Sequence, residues 1–122
     1  MSISFWHRTC VHAAERIDLD MTLKAAAQPV LGRVPMIWLT TQRDATWVML
    51  GLSSHTLSCN RMAALYQVVP EDHDKVMRWG DVMMAPSFQP LLPGARRLMA
   101  VRGTRPGVWA VSLQPLHVER CQ

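Results

Sequence analysis

The chain has 122 residues, of which 49% are hydrophobic and 18% charged, and its formal net charge is +4. That length suits one domain with its own core, and the composition excludes a disordered chain. No apolar run reaches the roughly 20 residues of a membrane helix, and His7, Arg8, His12, Glu15 and Arg16 break any leader-like stretch, so a single cytoplasmic domain spanning 1–122 is expected.

In chain order, Ile3 to Arg8 reads as a strand, with Ile3, Phe5 and His7 on one side and Ser4, Trp6 and Arg8 on the other. Thr9 is placed to cap a helix from about Cys10 to Asp20, whose Val11, Ala14, Ile17 and Met21 recur at helical spacing. Pro29, Gly32 and Pro35 mark a loop over 25–35, and Met36 to Thr40 is a second strand. Asp44 to Leu50 reads as a short helix or an irregular excursion, and Leu52 to Cys59 alternates tolerably as a strand despite its serines.

Ala63 to Val69 is a clearer strand, stopped by Pro70 and the acidic turn Glu71-Asp72-His73-Asp74. Val76 to Trp79 predicts a short strand, and Leu91 to Val101 predicts at least one helical turn. Val108 to Leu113 is the clearest strand of the second half, and Leu116 to Val118 continues it past Pro115. The pattern predicts an α+β fold. Its sheet would be small, mixed and mainly antiparallel, with one helix after the first strand and one short helix in the C-terminal half.

The positive charge is carried by eleven Arg and two Lys, and seven of the Arg (Arg61, Arg78, Arg96, Arg97, Arg102, Arg105, Arg120) fall from position 61 onward. A guanidinium fork suits phosphate, although no dense basic stripe of a dedicated nucleic-acid module is present. The glycines are scattered, with no phosphate loop and no dinucleotide fingerprint. Ser53-Ser54-His55 is not a nucleophile elbow, and alternation sends Ser54 and His55 to opposite sides of a strand.

His7, Cys10 and His12, His55 and Cys59, and His117 and Cys121 are metal-ligand types at short spacing. Without a Cys-x-x-Cys pair, no metal centre is expected. Cys10, Cys59 and Cys121 are odd in number and far apart, which argues for reduced thiols.

One stretch carries more. Phe5-Trp6-His7-Arg8-Thr9, then Ala13-Ala14 and Ile17 on a helix, then Leu23, then Ile37-Trp38-Leu39-Thr40, resembles the N-terminal half of ADP-ribosyltransferase-like domains. These include DNA-targeting toxins and RNA 2′-phosphotransferases. The resemblance spans about 40 residues, and Asp20-Met21 stands where the family has Gly after the helix.

It implies NAD as cofactor, with His7 on a ribose hydroxyl and Arg8 and Thr9 beside the nicotinamide. Thr40 or Thr41 would line the pocket, Trp38 and Trp109 could stack on nicotinamide or a base, and Arg61 would meet phosphate. The family's late-strand Glu or Gln has two counterparts here, Gln114 and Glu119, so the implied catalytic set is His7, Gln114 and Glu119. The acceptor would be a nucleic acid or a protein. The rival expectation is a non-enzymatic accessory protein that binds a host protein through Arg-rich and Met-rich surfaces.

Overall fold

The computed structural model describes residues 3–27, 35–44, 63–100, 102 and 104–121. The predictions over 45–59, Arg61 among the candidate residues, and His55 and Cys59 lie outside them. Among the described residues the strands are β1 (Trp6–Thr9), β2 (Thr22–Leu23), β3 (Ala26–Ala27), β4 (Pro35–Thr40), β5 (Ala64–Val68), β6 (Met77–Arg78), β7 (Trp109–Ser112) and β8 (Leu116–Arg120). The helices are α1 (Val11–Asp20), α2 (Trp79–Met84) and α3 (Leu92–Met99). The fold is a small α+β one, and every strand pair described is antiparallel.

The sheet runs β2-β8-β5-β1-β4-β7-β6, with β3 paired to β4 outside that path. β7 and β8 are joined by three residues yet stand four strand positions apart. Across a flat sheet that separation would be about 19 Å. The four Cα steps from Ser112 to Leu116 reach at most about 14 Å. The sheet must therefore curl, which gives it an inner and an outer face.

Phe5, Ile37, Leu39, Ala64, Tyr66, Val68, Ala110, Leu116 and Val118 fill the inner face, and Ala14 and Ile17 of α1 pack onto them. On the outer face, Met36, Trp109 and Val111 meet Trp79 and Val82 of α2, Phe88, and Ala95 of α3. That second cluster draws on β4, β6 and β7 but on no residue of β1, β5 or β8.

α1 ends at Asp20 as expected and departs from expectation at its start. Thr9 is the last residue of β1, and the N-cap position falls on Cys10, whose side chain makes no capping hydrogen bond. Met21 ends the helix in the left-handed region, φ 52°, where its N–H donates to the Ile17 carbonyl. A left-handed conformation favours Gly, so Met21 holds it at some cost in strain.

Two further differences have local causes. β6 is confined to Met77–Arg78, because Trp79 and Val82, three apart, bury one face of α2 instead. Leu116 to Arg120 does not extend β7. Ser112 Oγ accepts the Gln114 N–H at 3.1 Å and donates to the Gln114 carbonyl at 2.8 Å, which turns the chain out of that strand.

On the inner face, Tyr66 ties three elements together. Its hydroxyl donates to Asp18 Oδ1 at 2.7 Å and lies 3.3 Å from the Ala14 carbonyl. Arg120 bonds the other oxygen of Asp18. Burial, then the neighbouring Asp18, push the phenol up to about 12. Tyr66 is the only tyrosine in the chain, so phenolate absorbance reads this group alone. The expected midpoint is near 12. Because the folded value is raised above the usual 10, the stability it contributes is complete below pH 10 and is lost as pH rises toward 12. A midpoint near 10 in the folded protein would contradict the packing.

Candidate functional site

Alternation along β1 decides the geometry. His7 is the register partner of Tyr66 and Thr9 of Ala64, so both belong to the inner face. Trp6 and Arg8 therefore project from the outer face. The His7 ring Nδ1 lies 2.6 Å from the Trp38 carbonyl oxygen, so it donates there. Because β1 and β4 share the single register pair Trp6 with Thr40, this bond reinforces a short ladder. Thr9 is buried at the foot of α1.

The outer face holds a second set. Trp6 is opposite Thr40 on β4 and Gln67 on β5, and Gln67 is opposite Glu119 on β8. Thr40, Trp6, Gln67 and Glu119 thus cross four adjacent strands in one line, about 14 Å from end to end. Arg8 stands two residues along β1 from Trp6, and Trp38 two residues along β4 from Thr40, both on this face.

One guanidinium nitrogen of Arg8 donates to the Arg43 carbonyl at 3.0 Å, which draws its fork toward the end of β4. The Trp38 ring packs against Trp79 at 5.2 Å and edge-on to Trp109 at 5.8 Å. The Trp38 indole N–H is buried and has no hydrogen-bond partner among the described residues. A buried donor left unpaired costs about 1–3 kcal/mol, which an acceptor on a ligand would relieve.

The expected site residues therefore divide. Arg8, Trp38, Thr40 and Glu119 share the outer face, whereas His7 and Thr9 lie on the other side of the sheet. Thr40 is occupied in a turn, its Oγ1 accepting the Gln42 N–H at 3.0 Å. Gln114 is exposed in the turn after β7, beside the Pro35 end of β4 and at the opposite end of that strand from Thr40.

Trp6 and Gln67 were not among the expected residues. Gln67 had a signal, as the one polar amide in the apolar run Ala64-Leu65-Tyr66-Gln67-Val68, but its alignment with Glu119 depends on long-range register.

A different polar group closes the end of β8. The Asp72 carboxylate, in the 3₁₀ segment Pro70–Lys75, is buried. It accepts the His117 backbone N–H at 2.7 Å and the His117 ring Nδ1 at 3.0 Å on one oxygen, and pairs with Lys75 at 3.0 Å on the other. The backbone N–H first, then Lys75 and the imidazole, hold this carboxyl down to about 2 against the penalty of burial. Asp72 and His117 are 45 positions apart, so no local pattern in the sequence announces them.

Among the described residues, no group of three or more His, Cys, Asp or Glu is arranged to hold a metal ion, and no helix is long and apolar enough to cross a membrane. No protein-family model, curated protein or solved structure matches the chain.

Proposed function

We propose that the chain is an ADP-ribosyltransferase-like protein that binds NAD, or a closely related nucleotide, on the outer face of β1, β5 and β8. One observation carries the reading: the register that lines up Trp6, Gln67 and Glu119 on a single face, with Arg8 and Trp38 beside them. The residues suit the group. A guanidinium fork matches a diphosphate, indole faces accept a planar ring, and the Trp38 N–H offers a donor with no described partner.

Bound NAD supplies a ribosyl carbon from which nicotinamide can leave. The Glu119 carboxylate, exposed on β8, is the group on this face able to stabilise positive charge at that carbon. Gln67, its register partner, offers an amide to orient a hydroxyl. His7 takes a positioning role, holding the Trp38 backbone from the inner face rather than touching ligand. Gln114 has no place in this arrangement. We take the compartment to be the cytoplasm and the acceptor to be a nucleic acid or a protein.

Calorimetric titration with NAD tests the reading. Binding is expected in the wild type. Arg8→Ala should weaken it at least ~10-fold, as loss of a charge-assisted bidentate contact does, while Glu119→Gln should leave it within ~2-fold. Absence of heat and of any melting shift at millimolar NAD would overturn it.

A further inference from the structure

His117 lies on the same outer face as Glu119, two positions earlier on β8 and so about 7 Å along the strand, with Leu116 and Val118 buried on the inner side. Its side chain is 68% exposed, while that of Asp72, which it contacts, is 8% exposed. The Asp72 oxygen can only accept, so the ring nitrogen facing it, Nδ1, carries a proton. In the neutral imidazole this leaves the lone pair on Nε2, the nitrogen remote from Asp72. A buried carboxylate orienting an exposed imidazole is how a proton acceptor is held in one tautomer.

The groups around the ring fit that role. The 3₁₀ segment presents Asp72 and Lys75, with Lys75 engaged by the other oxygen of Asp72. β8 itself presents Glu119. The facing positions on either side are uncharged, Thr22 opposite on β2 and Val69, whose N–H donates to the His117 carbonyl.

We propose that His117 is a general base serving the face that carries Glu119, and that Asp72 is its positioning residue. The inference rests on the nucleotide reading for its substrate. With water as the simplest acceptor, the water oxygen bonds to the ribosyl carbon as the carbon–nitrogen bond to nicotinamide breaks. That electron pair leaves with nicotinamide, and the water proton passes to His117 Nε2 and on to solvent. No oxidant or further reactant is needed.

Two measurements on the full chain test it. The first is the tautomer of His117 by nitrogen NMR without ligand. The proton is expected on Nδ1 in the wild type, and Asp72→Asn should abolish that preference. The second is nicotinamide release from NAD across pH. The wild-type rate should climb with pH along one limb. His117→Gln should lower it roughly 100-fold and remove that limb, while NAD affinity stays within ~2-fold. The substitution keeps the backbone N–H that bonds Asp72, so the variant should fold, as its melting curve would confirm.

A wild-type proton on Nε2, or a His117→Gln rate profile like the wild type, would overturn the proposal. NAD binding without nicotinamide release would overturn it and leave the binding reading standing. Absence of NAD binding would overturn both.

Discussion

Replacing Trp109 with alanine is expected to lower the melting temperature by roughly 10–20 °C, the largest single stability loss the architecture predicts. Trp109 is 1% exposed and stands between two other indoles, 5.8 Å from Trp38 and 5.4 Å from Trp79. It belongs to β7, while Trp79 opens α2 and is held by an N–H contact of 3.4 Å to the Met99 sulfur at the end of α3. Truncating a buried tryptophan costs about 3–5 kcal/mol, and in a domain of this size that corresponds to the stated shift. Near-ultraviolet circular dichroism should lose the signal of the packed indoles. A variant that melts within ~3 °C of the wild type, with that signal intact, would show that α2 and α3 are not anchored on the outer face through Trp109.

The second large effect is expected at Asp72. Its carboxylate joins the 3₁₀ segment after β5 to β8, and removing one partner leaves a buried backbone N–H or an unpaired ion behind. Asp72→Ala should cost about 1.5–3 kcal/mol at neutral pH. The sign of the acid dependence follows from the depressed carboxyl. Its value in the fold is about 2 against an ordinary 3.8, so its contribution is complete above about pH 4 and disappears as pH falls toward 2. Denaturant melts between pH 6 and pH 2 should therefore converge for wild type and variant at the acid end. A gap between them that stays constant down to pH 2 would contradict the ionised, hydrogen-bonded state of Asp72.

Where a periodic pattern buries one side of an element, the sequence was readable. The alternation around Phe5 and His7, the helical spacing of Ala14 and Ile17, and the apolar runs of β4 and β7 each led to the element the structure contains. Short elements were not. α2 has six residues with Gly80 second, and the apolar alternation leading into Trp79 reads equally well as strand. β8 was legible as a strand but not as a separate one, because the turn depends on the Ser112 hydroxyl rather than on glycine.

The candidate site was half legible. Arg8, Trp38 and Glu119 were named from residue type and resemblance and share one face of the sheet, and alternation already implied that His7 and Arg8 would part. What a sequence does not state is register. Trp6 meets Gln67 and Gln67 meets Glu119 only because β1, β5 and β8 pair across separations of more than fifty residues. The short link after β7 then forces the curl that separates an inner from an outer face.

Amide and indole chemical-shift mapping during an NAD titration tests whether the proposed nucleotide meets the outer face of the sheet. The predicted shifts cluster at Trp6, Arg8, Gln67, Glu119 and the Trp38 indole N–H, with Ala14, Ile17 and the other inner-face positions unmoved. Shifts confined to α1 and the inner face, or none at millimolar NAD, would contradict it.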